Sequence, residues 1–427
     1  MAVERLQPYR AIGMESLLFK RLSGLSGPFR DRPETNRKML DFTSSLYLGL
    51  RHPSHLLAPW TQLTTGKPAV LEVPPFAASV AGALAELQGC QSGMLFPSTL
   101  HLFFDLFEAL RPEGVGMYVD SGAYPIACWA VQRIAALGVP VRRFRHFDAD
   151  AAREIMAEAG RSERRPVILT DGYCVSCGRH APLREYLDAV IPQRGYVVLD
   201  DTQALGIWGQ RPRPGYPYGA GGGGSLRRSG LRSPRVILGS SLAKGFGVPV
   251  AILSGSATLV RRLEQCSKTR THSSPPSVAA LSAAARALTI NARSGDILRH
   301  RLAALVTSFR DRLQDVGLRA PRSLFPVQAL DLAGRADPVW LQGKLSAQGI
   351  AAAVVTGCDG ASPKLVFALN ARHEPRDIER CVATLAPILR KAPGHQALRR
   401  WIKPSAGLHE ARPPRSAVSR ALRSTGA

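Results

Sequence analysis

Apolar positions along this chain recur in two alternating styles, and the alternation predicts its architecture. Runs rich in Ala and Leu predict helices over Ala77 to Leu87, Leu100 to Leu110 and Ala127 to Leu137. Between and after them stand short apolar blocks that read as strands: Met94-Leu95-Phe96, Gly116 to Val119, Val167 to Leu169, Tyr196 to Leu199 and Val236 to Leu238. Strands separated by helical runs need crossover connections, so the expected fold class is α/β with a mostly parallel sheet. In such a sheet the chemistry sits at the carboxyl ends of the strands. From about Asn291 a long helical segment leads to further strands near Val327 to Leu330, Ala352 to Val355 and Leu365 to Leu369, followed by a helix from Glu374 to Leu389. That second pattern suits a small α+β C-terminal domain.

The expected organisation is an N-terminal arm over 1–50, a large domain over 51–290, a small domain over 291–392 and a basic, disordered tail over 393–427. Within the large domain, residues 210–233 turn to Pro, Gly and Arg and include the run Gly221 to Gly224, the composition of a flexible surface loop.

Composition changes this picture little. A chain of 427 residues with 45% hydrophobic and 21% charged content is an ordinary globular protein with room for one large core and a smaller satellite. No apolar run approaches the roughly 20 residues that cross a bilayer. Glu4 and Arg5 stand where a signal peptide needs apolar residues, so a cytoplasmic protein is expected. The seven cysteines are scattered and odd in number, which argues against a disulfide framework. Cys174-Val-Ser-Cys177 is a lone CxxC without the second pair or the two histidines that zinc spacing requires, so no metal is expected.

The net charge of +24 raises the question of nucleic acid. The excess concentrates after Arg390 and around Arg227, Arg228, Arg232 and Arg235, with no zinc-finger spacing and no aromatic-interleaved RNA motif, so nucleic acid is not an expected partner. A basic surface would instead draw in an anionic cofactor or substrate, such as a phosphate or a coenzyme A thioester.

The candidate chemistry lies at two strand ends. Tyr196-Val-Val-Leu199 runs into Asp200-Asp201, and Val236-Ile-Leu238 runs into Gly239-Ser-Ser-Leu-Ala-Lys244-Gly-Phe-Gly247. A carboxylate and a lysine delivered this way suit a pyridine cofactor. The acid keeps the ring nitrogen protonated, while the amine holds the aldehyde as a Schiff base and shuttles protons. Ser240 and Ser241 are small hydroxyls suited to a phosphate ester.

With these residues in place, the chain resembles the α-oxoamine synthase family of pyridoxal-phosphate (PLP) enzymes. The resemblance covers roughly residues 38–390 and rests on five motifs in order. Asp41-Phe-Thr-Ser-Ser-Leu-Tyr-Leu-Gly-Leu50 is similar to the family's N-terminal segment, Thr170-Asp-Gly to its Thr-Glu-Gly, and Gly178-Arg-His-Ala-Pro-Leu183 to its Gly-Asp-x-Ala-Pro-Leu. Asp200-Asp-Thr-Gln-Ala-Leu-Gly206 is similar to Asp-Asp-Ala-His-Gly-Thr-Gly, and Ser241-Leu-Ala-Lys244-Gly-Phe-Gly247 to Thr-x-x-Lys-Gly-x-Gly. The resemblance implies PLP-dependent transferase fold type I, like aspartate aminotransferase, with a seven-stranded sheet in the large domain. It implies that Asp200 pairs with the pyridine nitrogen, Lys244 carries the cofactor and Ser241 binds its phosphate, helped by the Ser98-Thr99 turn. Tyr124 falls where the family stacks a histidine on the ring, and Gln203 where a histidine meets the phenolic oxygen. Thr271 falls where the family reaches the partner's phosphate, so a homodimer with shared sites is implied.

Departures from the pattern gather on the substrate side. Besides Tyr124 and Gln203, Ser45 replaces an asparagine, and Val366 stands where the family has the arginine that clamps the amino-acid carboxylate. Lys364 and Arg372 are the nearby cations that stand as substitutes. Three readings are open: a synthase joining an acyl thioester to an amino acid with loss of carbon dioxide, an aminotransferase or other biosynthetic PLP enzyme with a non-standard substrate, or a non-catalytic partner subunit. Retention of both Asp200 and Lys244 argues against the last.

Overall fold

A computed structural model describes residues 39–392, apart from 160–163, 320, 322, 333 and 359–362. The tail expected over 393–427 and nearly all of the first unit, Met1–Leu40, lie outside these residues. The second unit begins at Asp41 and carries the sheets and helices that build the site.

Seven strands form the central sheet: β1 (Ser92–Phe96), β2 (Val115–Asp120), β3 (Val141–Phe144), β4 (Arg165–Asp171), β5 (Tyr196–Asp200), β6 (Val236–Ser241) and β7 (Ala251–Gly255). Their spatial order is β1-β7-β6-β5-β4-β2-β3. The neighbours from β6 through β3 pair in parallel, and β7 runs antiparallel to both β6 and β1. Helices cover both faces, which is why the central strands are continuous apolar runs. Alternate residues separate onto the two faces, as the pleat requires. Leu169, Val198 and Ile237 pack into one core with α2 (Thr99–Leu110), α3 (Pro125–Ala136) and α6 (Ala257–Cys266). Ile168, Val197, Leu199 and Leu238 pack into the other with α4 (Ala149–Glu158) and α5 (Leu183–Val190).

The expected boundary at 290 falls inside one helix, α7 (Val278–Asp315), so the large and small parts share an element. Beyond it, β8 (Val327–Leu330), β9 (Ala353–Val355) and β10 (Lys364–Ala368) form an antiparallel sheet in the order β8-β10-β9; α8 (Pro338–Ala347) packs on β9 and β10, and α9 (Pro375–Arg390) packs on α7 and α8. Residues 41–50, expected within an arm, are knitted into this part. Phe42 donates to the Ala351 carbonyl at 2.9 Å and accepts from the Ala368 N–H at 2.7 Å, and its ring stacks on His373.

Of the stretch expected to be a flexible surface loop, 210–233, residues 210–216 are exposed and residues 222–226 are buried. Trp208 and Tyr218 are buried at its start and within it, and the Tyr218 hydroxyl donates to the Leu324 carbonyl at 2.7 Å. Gly224 shows what the glycine run is for: its φ is +89° and a Cβ there would lie 2.0 Å from Asp201 Oδ2. Close approach to a buried carboxylate, rather than flexibility, selects glycine. Arg299 of α7 holds the same region from the other side. It is 2% exposed and donates to Gly206 O at 2.9 Å, Asn291 Oδ1 at 2.8 Å and Asp296 Oδ1 at 2.6 Å. Arg299→Ala removes four charge-assisted hydrogen bonds, two of them to Asp296, and leaves Gly206 O and Asn291 Oδ1 without their guanidinium donor. Thermal unfolding is expected to show a loss of about 3 kcal/mol.

Candidate active site

The parallel register brings three polar strand ends to one edge of the sheet. Asp171 at the end of β4 lies beside Asp200 at the end of β5, and Asp200 lies beside Gly239 near the end of β6. Thr202 ties these ends together. Its N–H donates to Asp200 Oδ1 at 3.0 Å and its hydroxyl accepts from the Ser241 N–H at 3.0 Å. Two strands later in register stands the phosphate side: Ser241 opposes Ala251 of β7, and Ala251 opposes Phe96 of β1. At about 4.8 Å per strand, Phe96 lies about 10 Å from the Ser241 backbone, and the Ser98-Thr99 turn opens two residues beyond it.

That turn is the N-terminus of α2, a 12-residue helix whose first turn receives no side-chain cap from Ser98. The Ser98 hydroxyl bonds His101 Nδ1 at 2.9 Å instead. The first N–H groups of the helix are left for an anion, which the helix dipole also favours.

Charge at the site is set by burial. Burial is the main cause raising the Asp200 pKa, opposed by Thr202 and then by the Lys244 charge. Asp171 is held well above the ordinary carboxylate range by burial first and the Asp200 charge second. Lys244 is lowered by burial, against the attraction of Asp200 and Asp171. Among the described residues, no Lys or Arg ion-pairs directly with Asp200 or Asp171. A buried carboxylate so placed gains most from a cationic N–H arriving with a ligand, and a protonated pyridine ring is such a group. An acid at one end, an open helix N-terminus with Ser241 at the other and an amine three residues beyond Ser241 fit a phosphorylated pyridine aldehyde.

The neighbouring Asp201 is raised to about 7 by burial, against hydrogen bonds from Ser225 and with the Asp200 charge adding to the rise. The unfolded chain gives up this proton near pH 4, while the folded chain keeps it until about 7. Between those values stability therefore falls as pH rises, at up to about 1.4 kcal/mol per unit. Asp201→Asn keeps an acceptor for the Ser225 N–H, 3.0 Å from Asp201 Oδ2, without the charge. Its melting temperature relative to wild type is expected to climb from pH 5 to pH 8.

Other predicted positions divide into two groups. Tyr124 caps α3, donates its N–H to Asp171 Oδ1 at 2.9 Å and is half-exposed. Its phenol is kept protonated by burial and by the charges of Asp200 and Asp171, which places it on the same acidic edge. Gln203 accepts from the Tyr47 hydroxyl at 2.6 Å, so its amide nitrogen carries the remaining donors. Ser45 stands two residues before Tyr47, its carbonyl accepting the Tyr47 N–H at 2.8 Å. By contrast, Thr271 lies on an exposed five-residue helix with its hydroxyl bonded to Ser267 O at 3.2 Å. Val366 is buried mid-strand between Ala329 and Ala353. Arg372 gives its guanidinium to Gly49 O, and Lys364 sits at the start of β10. Sequence patterning does not single out Thr202, Tyr47 or Asp171. Only Asp171 carries a signal, as a carboxylate directly following an apolar strand.

The family described as "Aminotransferase class I and II" matches residues 130–385. An 8-amino-7-oxononanoate synthase of Alkalilimnicola ehrlichii is 28% identical over 312 residues, 72% of this chain and 75% of the relative. One from Halorhodospira halophila is 28% identical over 316 residues, 73% and 74% of the two chains. Among solved structures, serine palmitoyltransferase of Sphingomonas wittichii aligns with a TM-score of 0.73 at 16% identity, covering 88% of this chain and 97% of that one. The 8-amino-7-oxononanoate synthase of Francisella tularensis aligns with a TM-score of 0.63 at 16% identity, covering 83% and 98%. These structural likenesses establish the fold, and the family match spans more than half the chain. With the acidic strand ends, the lysine and the open helix N-terminus in their places, the chain belongs to the class I and II aminotransferase family of PLP-dependent transferases.

Proposed function

We propose that this chain is an α-oxoamine synthase that condenses an acyl thioester with an amino acid, with loss of carbon dioxide, to give an aminoketone. The observation that carries the reading is the Asp200–Thr202–Ser241 linkage at the carboxyl edge, with Lys244 electrostatically coupled to Asp200. The relatives named as synthases support it, each matching over about three-quarters of its length. When bound, PLP supplies an electron sink for the pair left on the amino acid's α-carbon. Asp200, fixed by Thr202, would hold the proton on the ring nitrogen. Lys244, its pKa lowered by burial, has more neutral amine at physiological pH than an ordinary lysine, and would take and return the α-proton. The first N–H groups of α2 and the Ser241 hydroxyl would hold the phosphate. Tyr124 would cover the ring, and the Gln203 amide, oriented by Tyr47, would donate to the phenolic oxygen. The surplus of positive charge would favour the anionic thioester. A cytoplasmic homodimer completes the reading, with Thr271 on an exposed element presented to the partner's phosphate. Among the described residues, no helix is long and apolar enough to cross a membrane.

One observation favours a second reading. The buried Val366 offers no cation to an amino-acid carboxylate, as suits an aminotransferase acting on an unusual amino donor. A panel of amino acids with and without acyl thioesters separates the two. Release of free thiol and carbon dioxide only when both substrates are present is the expected result. Keto acid formed without thiol release would establish the aminotransferase, and a holoenzyme inert across the panel would overturn both.

A further inference from the structure

Cys174 and Cys177 acquire partners that no sequence spacing suggests. They lie in the hairpin of Tyr173–Cys174 and Arg179–His180, which follows Asp171 directly. His146 comes from the turn after β3, and Cys358 from the segment between β9 and β10. One ligand atom from each of these four side chains lies within 4.8 Å of all the others. Cys177 Sγ is 3.5 Å from His146 Nε2.

The surroundings are built to aim that imidazole. His146 Nδ1 lies 2.7 Å from Asp120 Oδ1, with the two side chains 8% and 0% exposed. Asp120 Oδ1 also accepts the Gly122 N–H at 2.7 Å, and Oδ2 accepts the Phe147 N–H and the Thr170 hydroxyl, each at 3.0 Å. So fixed, the carboxylate holds the proton on Nδ1 and turns the Nε2 lone pair toward the sulfurs, the arrangement by which carboxylates orient metal-binding histidines. Gly122 clears the space: a Cβ there would lie 2.3 Å from His146 Nδ1. The Cys358 N–H donates to Ser176 Oγ at 3.3 Å, which anchors the distant cysteine onto the CxxC turn. Arg179 donates to the His146 carbonyl at 3.3 Å and lies within electrostatic reach of all three sulfurs.

We propose that His146, Cys174, Cys177 and Cys358 bind one Zn(II) ion in a closed, structural Cys3His site. A tetrahedral site with Zn–S near 2.3 Å and Zn–N near 2.0 Å sets its ligand atoms about 3.5–3.8 Å apart. The observed spread needs only about an ångström of contraction. Three thiolates and an imidazole select zinc over the oxygen-seeking divalent ions. Four protein ligands leave no open position, so the ion is structural and not a Lewis acid for the reaction. Binding displaces three thiol protons to solvent and leaves a net charge of minus one at the site, which Arg179 offsets. The ion pins Cys358, just after β9, to the hairpin that follows Asp171. This assignment does not depend on which reaction the neighbouring site performs.

Elemental analysis of the full-length holoenzyme, produced with zinc in the medium, tests it. One zinc per chain is expected, falling at least tenfold in Cys358→Ser and in Cys177→Ser but not in Cys266→Ser, whose cysteine is exposed and outside the cluster. Circular dichroism of each variant checks folding. Stepwise mercurial titration of the wild type, which needs no variant, is expected to release zinc in step with three thiols. Zinc that persists in Cys358→Ser, a disulfide among the three cysteines in the mass spectrum, or a zinc-free chain with all three thiols freely alkylated would each overturn the assignment.

Discussion

Lys244→Ala is expected to abolish the visible absorption that bound PLP gives the wild type and to lower turnover by at least 10²–10⁴-fold, the range that a positioned proton-transfer group contributes. Loss of covalent attachment adds to this. The fold is expected to survive. Lys244 follows the end of β6, and no carboxylate ion-pairs with it among the described residues, so alanine leaves no partner directly orphaned. Its electrostatic absence should nonetheless be felt. The Lys244 charge opposes the rise of the Asp200 pKa, so that carboxyl should climb further in the variant. Absorption spectra, cofactor retained after desalting and single-turnover rates with added small primary amines check the prediction. Partial rescue by the amines would separate loss of the proton shuttle from loss of structure. An unchanged spectrum would place the cofactor's lysine elsewhere.

How much of this is legible in the sequence depends on what each residue packs against. Central strands β4, β5 and β6 are plain because burial on both faces makes them continuous apolar runs. The edge strand β3 is not, since Val-Arg-Arg-Phe leaves Arg142 and Arg143 exposed at the margin of the sheet and carries no apolar pattern. The antiparallel β7, Ala251–Gly255, goes unread as well. Asp200 and Lys244 stand out because each follows an apolar strand, and a motif extends the reading to Ser241 and Gln203. Thr202 carries no such signal. Its role exists only in the register that sets Ser241 beside it. The same holds for the glycine run 221–224, where composition suggests mobility and the contacts of Gly224 with Asp201 show close packing. His146 and Cys358 are further still from any sequence rule, since topology alone brings them to Cys174 and Cys177.

Asp200→Asn probes the other half of the proposed catalytic pair and should behave differently from the lysine variant. Asparagine is nearly isosteric and still accepts the Thr202 N–H, which lies 3.0 Å from Asp200 Oδ1, so the link to Ser241 is preserved. Removing a charge from a buried position that no cation pairs directly relieves a desolvation cost, and the melting temperature is expected to hold or rise. The Asp200 charge is also the second cause of the raised Asp171 pKa, so the Asp171 carboxyl should ionise at lower pH in the variant. What is lost is the negative charge that would keep a proton on the ring nitrogen. Turnover is therefore expected to fall by about 10²–10³-fold, the scale for removing one preorganised electrostatic partner of a transition state. The colour of the bound cofactor should remain, and KM for the amino acid should change little, because the interaction strengthens only as charge develops in the ring. Lys244 loses one of the two carboxylates that oppose the lowering of its pKa, so the limb of the pH–rate profile that reports its ionisation should move to lower pH. A stable, coloured variant with near-normal turnover would show that Asp200 does not govern the ring. A colourless one would show that Asp200 anchors the cofactor as well as tuning it, and the two outcomes are told apart by one spectrum and one rate.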